Sequence, residues 1–262
     1  MAVPLPLRWP VDLLVTLTLW IYVAVGGPVL LLPAYLVVVL TTRDRRAAFQ
    51  RLHHWFLRGF FRLLRAIDPG LRVRLDPTIR EIRGAVVICN HLSYLDPLLL
   101  IALLPRHVTF VKRRFFSVPV FGWCLRAAGY VAAAEGTGLD EGTLRRLDGL
   151  RRHVEQGGTL FVFPEGRRAR NGELGKFHAG AFRLARRFGV PLELVRLEGT
   201  DRVFPRGRFL LHTCVPVAIV AERLGPLPAP PDGEGGEVGR WVEEARRVYE
   251  TRLEAARSRT AV

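Results

Sequence analysis

Residues 85–104 read Ala85-Val86-Val87-Ile88-Cys89-Asn90-His91-Leu92-Ser93-Tyr94-Leu95-Asp96-Pro97-Leu98-Leu99-Leu100-Ile101-Ala102-Leu103-Leu104, and no other stretch says more about the fold. Ala85–Cys89 is a short apolar run and reads as a buried strand. Pro97–Leu104 is apolar over a helical length and opens on a proline, which suits a first helical turn. Between them lies a polar turn. The same alternation continues downstream. Strands are predicted at Val108–Val111, Tyr130–Ala133, Thr159–Phe163 and Leu192–Val195. Helices are predicted at Val120–Ala128, Gly142–Gln156 and Ala179–Phe188. One or two further strands fall within Phe209–Val220, a Gly/Pro-rich loop spans 225–236, and an amphipathic helix covers Glu237–Arg257. Strands alternating with helices predict an α/β fold with a mainly parallel central sheet flanked by helices. In such sheets ligands sit beyond the carboxyl ends of the strands. Asn90–Asp96, Lys112–Arg114 and Pro164–Arg170 all follow strand ends, so a parallel arrangement brings them to one edge.

The chain has 262 residues, 49% of them apolar, enough for one sizeable core. Its formal net charge is +15, which predicts attraction to an anionic bilayer, a phosphorylated substrate or nucleic acid. Apart from Lys112 and Lys176 the cations are arginines, whose planar fork suits phosphate. Cys89, Cys124 and Cys214 are odd in number, form no CxxC and lie in apolar runs. That pattern reads as reduced, buried thiols facing a cytosol.

Residues 11–40 carry one charge, Asp12. The run is too long for the apolar part of a signal peptide. Gly26, Gly27, Pro28 and Pro33 predict a bend. Two arms of ~12–15 residues would each reach only ~20 Å, short of a ~30 Å hydrocarbon core. A hairpin entering one leaflet is therefore favoured over one bent spanning helix or a buried core pair. Basic flanks at Arg8 and at Arg43, Arg45 and Arg46 agree with both ends lying on the cytoplasmic side. In residues 43–66, Phe49, Leu52, Phe56, Phe60 and Leu63 share a helix face, and Arg45, Arg51, Arg58, Arg62 and Arg65 make much of the rest basic. A basic amphipathic helix fits a bilayer surface or a solvated face packed on the domain. The chain divides into a membrane-docking hairpin with this helix, 1–70, and an α/β domain with a C-terminal helix, 71–262.

Two constellations carry chemistry. His91 leaves a buried strand five residues before Asp96. A histidine takes a proton from an alcohol near neutral pH, and works best when a carboxylate holds its other ring nitrogen. Asp96 suits that role, and also suits a helix N-cap before Pro97. Ser93 and Cys89 are weaker candidates as nucleophiles. The adjacent His53 and His54 lack further ligands at metal spacing, so no metal site is expected there. The second constellation is Phe163-Pro164-Glu165-Gly166-Arg167-Arg168-Ala169-Arg170. Gly166 permits a sharp turn, the arginines can clamp a phosphate, and Glu165 can accept from a substrate hydroxyl or order the arginines.

Together these segments resemble the 1-acylglycerol-3-phosphate acyltransferase family. Asn90–Asp96 matches its NHxxxxD block and Phe163–Arg170 its FPEGTRS block. Residues 111–131 resemble its second block, with Lys112, Pro119, Gly122 and Gly129 in place; Val190-Pro191-Leu192 resembles the fourth. The resemblance covers roughly residues 80–220. It implies direct acyl transfer from an acyl carrier protein or coenzyme A thioester, as co-substrate with no bound cofactor, to a lysophospholipid hydroxyl. The acceptor would be 1-acyl-sn-glycerol-3-phosphate or, alternatively, another lysolipid such as a lyso-ornithine lipid. It further implies His91 as base with Asp96 as partner. The acceptor would be bound by Lys112, Glu165, Gly166, Arg167 and Arg168, and backbone groups near Pro191 would stabilise the oxyanion. The site would lie on the cytoplasmic face of the inner membrane. Two departures bear on the acceptor: Glu135 stands near the family's second-block arginine, and Arg167 replaces its third-block threonine, with Arg167 or Arg170 as substitute cations. A hydrolase is the competing enzyme, but no GxSxG elbow is present. A non-catalytic membrane binder rests on residues 1–66 alone, and a nucleic-acid binder on charge alone.

Overall fold

The computed structural model describes residues 5–68, 70–133, 141–169, 173–229 and 237–260. The chain opens with α1 (Leu5–Ile21), one π-helical turn (Tyr22–Gly26) and α2 (Gly27–Thr41). These form one continuous rod. Gly26 and Gly27 keep helical dihedrals, and the Gly27 N–H donates to the carbonyls of Tyr22 and Val23. The reversal expected at Gly26-Gly27-Pro28 does not occur. Pro28 offers no N–H to the helical ladder, and the chain accommodates it by widening the preceding turn instead of breaking.

The reversal falls at Thr42–Asp44. There the Asp44 carboxylate caps α3 (Arg45–Ile67), accepting from the Ala47 N–H at 3.1 Å. The N-terminal helical hairpin thus pairs the whole apolar rod with the basic amphipathic helix. Tyr35 meets Phe49 edge-on at 4.9 Å, and Tyr22 stacks on Phe56 at 4.7 Å while its hydroxyl donates to the Phe56 carbonyl. Asp12, the lone charge in the apolar run, accepts from the Thr213 N–H at 2.8 Å, and Thr16 Oγ1 from the Leu211 N–H at 2.9 Å. Both ends of the rod are therefore fastened to the rest of the molecule.

The remaining elements run in order: β1 (Leu71–Leu75), β2 (Ala85–Cys89), α4 (Leu95–Leu103), β3 (His107–Val111), α5 (Phe121–Ala127), β4 (Val131–Ala132) and α6 (Glu141–Glu155). Then come β5 (Thr159–Val162), α7 (Gly180–Phe188), β6 (Leu192–Glu198), α8 (Thr200–Val203), β7 (Val217–Leu227) and α9 (Glu237–Thr260). The seven strands form one sheet in the order β1-β7-β6-β2-β5-β3-β4. The strands β2 to β6 are mutually parallel; β7 pairs antiparallel to β6, and β1 pairs parallel to β7. The expected mainly parallel α/β sheet is present. From β2 the chain crosses toward β3, and from β5 it crosses back past β2 to β6. Right-handed crossovers in opposite senses put α4 and α7 on opposite faces. β2 is thus a topological switch point, where an open α/β sheet leaves a crevice at its carboxyl edge.

β2 is buried along its whole length, as its unbroken apolar run required. In α9, Trp241, Ala245 and Tyr249 make a fully buried stripe at helical spacing, and the Tyr249 hydroxyl lies 2.9 Å from the carbonyls of both Ile88 and Val195. The strands depart from the sequence reading in three places. No strand forms over Phe209–Cys214, where the chain instead packs back on Asp12 and Thr16. The expected loop from 225 is still strand β7 as far as Leu227, because Gly225–Leu227 pair with Leu192–Leu194. The strand β1 was not foreseen, although Leu71, Val73 and Leu75 alternate with Arg72 and Arg74.

Candidate active site

Three connections leaving the carboxyl edge converge beside β2. The first is the turn Asn90–Tyr94. Asn90 is held by a reciprocal pair, its Nδ2 donating to the Leu197 carbonyl at 2.9 Å and its Oδ1 accepting from the Leu197 N–H at 2.8 Å. That ties the end of β2 to the end of β6. His91 Nδ1 lies 2.9 Å from Asp96 Oδ2. The same oxygen accepts from the N–H groups of Leu92 and Ser93 at 2.5 and 2.6 Å, and Oδ1 accepts from Thr200 Oγ1 at 2.5 Å. Asp96 is fully buried, and four donors compensate its charge.

Asp96 is not the helix N-cap. Tyr94 holds that position with no side-chain bond, and Asp96 lies inside α4 and reaches back over the turn. A carboxylate so placed fixes the neighbouring imidazole with its proton on Nδ1 and leaves Nε2 as the basic edge. Phe163 stacks on the imidazole at 4.1 Å, setting the ring plane. Among the described residues Nε2 has no hydrogen-bond partner.

The second connection is the turn after β5. Gly166 adopts φ +67°, where a side chain would be strained, so the sharp turn is present. The turn is stitched to the first: the Ala169 N–H donates to the His91 carbonyl at 2.7 Å, and Glu165 Oε1 accepts from the His91 N–H at 2.9 Å. Glu165 Oε2 accepts from the Gly175 N–H at 2.9 Å. Both oxygens of this buried carboxylate are therefore engaged by main-chain amides. Burial pushes its pKa up, and the bonds from His91 and Gly175 oppose that shift. Arg167 is exposed. The Arg168 guanidinium lies 3.8 Å over the Tyr94 ring, a cation–π contact that leaves its in-plane donors without a hydrogen bond to any described residue. Lys112, at the carboxyl end of β3, is exposed as well. Neither Arg167, Arg168 nor Lys112 forms an ion pair with a described residue. Arg170 and Glu135 lie outside the described residues.

The third connection, after β6, was not singled out from the sequence. Gly199 has φ +79°, and a Cβ there would stand 2.1 Å from the Ala218 carbonyl oxygen. Only glycine lets the chain pass so close to β7 and deliver Thr200 to Asp96. A glycine ending a strand was the visible signal, but the partner lies 104 residues away. A cleft of about 490 Å³ opens here, lined among others by Asn90, Leu92, Glu165, Ala169, Leu197 and Asp201.

The other nucleophile candidates are committed elsewhere. Ser93 Oγ donates to the Phe204 carbonyl at 2.9 Å. Cys89 is fully buried, and burial together with the charges of Asp96 and Glu165 pushes its thiol pKa well up, away from a reactive thiolate. Cys89, Cys124 and Cys214 are all free thiols. Pro191 lies at the opposite, amino edge: its carbonyl accepts from the Val86 N–H at the start of β2. Backbone groups there cannot serve as oxyanion donors, since the length of β6 separates them from His91. His53 pairs with the Tyr35 hydroxyl and His54 Nδ1 with the Ile101 carbonyl. Among the described residues no three His, Cys, Asp or Glu side chains gather as metal ligands.

A family model described as Acyltransferase matches residues 70–195. Over those residues the chain is similar to the acyltransferase family. The matched stretch runs from β1 into β6 and contains both turns, and Thr200 stands just beyond it. Similar curated proteins include a chloroplastic 1-acyl-sn-glycerol-3-phosphate acyltransferase of Brassica napus, 35% identical over 125 residues, which are 47% of this chain and 35% of that protein. A second is the beta form of 1-acyl-sn-glycerol-3-phosphate acyltransferase of Homo sapiens, 31% identical over 162 residues, 61% of this chain and 56% of that one. The matched segments thus span 35% and 56% of the lengths of those relatives. The fold is similar to that of a solved 1-acyl-sn-glycerophosphate acyltransferase of Thermotoga maritima, with TM-score 0.66 and 23% identity over 91% of this chain and 96% of that one.

Proposed function

We propose that this protein transfers an acyl chain from a coenzyme A or acyl carrier protein thioester to the free hydroxyl of 1-acyl-sn-glycerol-3-phosphate, giving phosphatidic acid. The observation that carries this reading is half-buried His91 held 2.9 Å from buried Asp96 and stitched to a turn bearing exposed Arg167 and half-buried Arg168. His91 Nε2 removes the proton of the acceptor hydroxyl as its oxygen attacks the thioester carbonyl. Asp96 stabilises the imidazolium so formed. The tetrahedral intermediate collapses with loss of the thiolate, which takes the proton from His91. A thioester brings its own activation, so the step asks for no cofactor. Lys112, Arg167 and Arg168 supply the positive field for the acceptor phosphate. Glu165 and Gly166 serve the acceptor site by shaping it, since both Glu165 oxygens already hold main-chain amides.

The membrane reading draws on the N-terminal rod. It is long and apolar enough to cross a bilayer, with 34 residues in the apolar helix. Yet it contacts the domain near both ends, through Asp12 with Thr213 and through Tyr35 with Trp123. A spanning orientation would drag the polar domain into hydrocarbon, at a cost of several kcal/mol for each unsatisfied group. The rod therefore lies in the interface of one leaflet, with the catalytic edge on the cytoplasmic side.

The test is to supply the detergent-purified protein with labelled acyl-CoA or acyl carrier protein and a panel of lysolipids. Product is expected with the glycerol-phosphate lysolipid. Transfer to neutral or zwitterionic lysolipids alone, or hydrolysis with none, would overturn the assignment.

A further inference from the structure

The exposed large apolar side chains are distributed unevenly. Of the twenty among the described residues, fourteen lie in α1, the π-turn, α2 and α3. The other six are Tyr94, Val118, Val120, Phe121, Trp123 and Phe209. Every one of these six stands on a connection leaving the carboxyl end of β2, β3 or β6, the edge that carries His91. Among the described residues, none stands at the amino edge or on α6, α7 or α9. Scattered exposed apolar residues need no explanation, but a set confined to one edge does.

Two of these connections also touch the apolar rod. Phe209 stacks on Trp20 with the rings 3° from parallel, and Trp123 meets Tyr35 at 5.3 Å. Trp20 and Tyr35 are about 22 Å apart along a helix rising ~1.5 Å per residue. β2, with His91, lies between β6 and β3, the strands from which these two connections depart. The apolar surface of the rod therefore continues around the catalytic mouth. Val120 is held at φ +60° while its side chain is half exposed, an unusual backbone for a β-branched residue. Exposed arginines flank both connections, Arg113 and Arg114 before Val118, and Arg206 and Arg208 around Phe209. Apolar tips between exposed cations match the layering of an anionic leaflet, acyl chains beneath and phosphates above.

We propose that these loops form a second membrane contact, a rim that seats the catalytic mouth itself in an anionic bilayer. This rests on the membrane-acting reading above, and extends it from anchoring to substrate delivery. The mouth opens into lipid, and a lysolipid slides laterally to His91 with its chain still in the leaflet.

The experiment uses the full chain and two variants, Val120→Ser/Phe121→Ser and Phe209→Ser, all at exposed positions outside the catalytic machinery. Binding is measured by flotation with phosphatidylglycerol–phosphatidylethanolamine vesicles. Turnover is measured with a vesicle-embedded lysolipid and with a short-chain lysolipid below its micellar concentration. Withdrawing these apolar tips is expected to weaken vesicle binding and embedded-substrate kcat/KM roughly tenfold, with short-chain turnover within about twofold of the parent. Unchanged vesicle binding in both variants would overturn the rim. So would an equal fall with both acceptors, which would make the loops part of the site. Should the parent transfer acyl groups to no acceptor, the acyltransfer reading falls and vesicle binding alone decides the rim.

Discussion

The turn after β2 and the turn after β5 meet at the same edge but are built on opposite plans. In the first, the polar side chains Asn90, His91, Ser93 and Asp96 are each committed to a partner, and Asp96 alone has four donors. In the second, Glu165 is committed, whereas Arg167 is exposed and Arg168 rests on a ring face with no carboxylate partner among the described residues. A base must be oriented before substrate arrives, since reorganisation during the reaction would raise the barrier. A phosphate clamp must keep its donors available and hydrated until the anion comes, because buried unpaired guanidinium is costly. On the proposed mechanism the difference separates a preorganised proton-transfer half from an open binding half.

That contrast is breakable by kinetics. His91→Ala should show the largest effect, a loss of ~10²–10⁴-fold in kcat with KM little changed. Undiminished turnover would remove the proposed chemistry. Asp96→Asn should follow with a loss of about 10²-fold or more, because an amide can present its NH₂ to a donor and unfix the tautomer. Circular dichroism should show both variants folded.

Glu165→Gln tests whether the two halves are truly stitched together. Gln offers one acceptor where the carboxylate offers two, so one of the His91 and Gly175 amides loses its partner. One buried unsatisfied group costs ~1–3 kcal/mol, and about tenfold in kcat is expected. The stability effect has a sign. Burial raises the Glu165 pKa, so its contribution is fully present below the unfolded-state value and is lost as pH rises through the folded-state value. The melting temperature of the variant should thus compare more favourably with the parent at pH 8 than at pH 5. The opposite trend would mean the carboxylate is better stabilised folded than free. Arg168→Ala belongs to the other half: it should raise KM for the phosphorylated acceptor roughly tenfold and leave kcat nearly alone. A collapse of kcat at constant KM would erase the distinction between the two turns.

Much of this was readable in the chain, because short-range rules governed it. Ala85–Cys89 is apolar without alternation and became the central buried strand; a glycine between Glu165 and Arg167 became a positive-φ turn. The placing of His91, Lys112 and the arginine turn at one sheet edge followed from strand polarity alone. What escaped depended on distant partners. Gly26-Gly27-Pro28 is a breaker by local preference, but contacts of Tyr22 and Tyr35 with α3 accompany a helix that runs on through it. The pairing of β7 with β6 carried strand structure into a Gly/Pro-rich stretch. The role of Pro191 was misplaced because its proximity in sequence to a motif said nothing of which sheet edge it occupies.

Thr200 gives the finest test of the contrast, since it belongs to the preorganised half yet lies about a hundred residues from it in sequence. Its hydroxyl donates to the Asp96 oxygen remote from His91, so it positions the carboxylate and touches no substrate. In Thr200→Val that oxygen loses a donor, so the carboxylate and the imidazole it holds are less firmly oriented. The expected outcome is a fall in kcat of about fivefold, the size of one modest hydrogen bond, with unchanged KM. Thr200→Ser keeps the donor and should restore kcat. A loss of activity in the valine variant with no rescue by serine would mean that Thr200 only packs the end of β6.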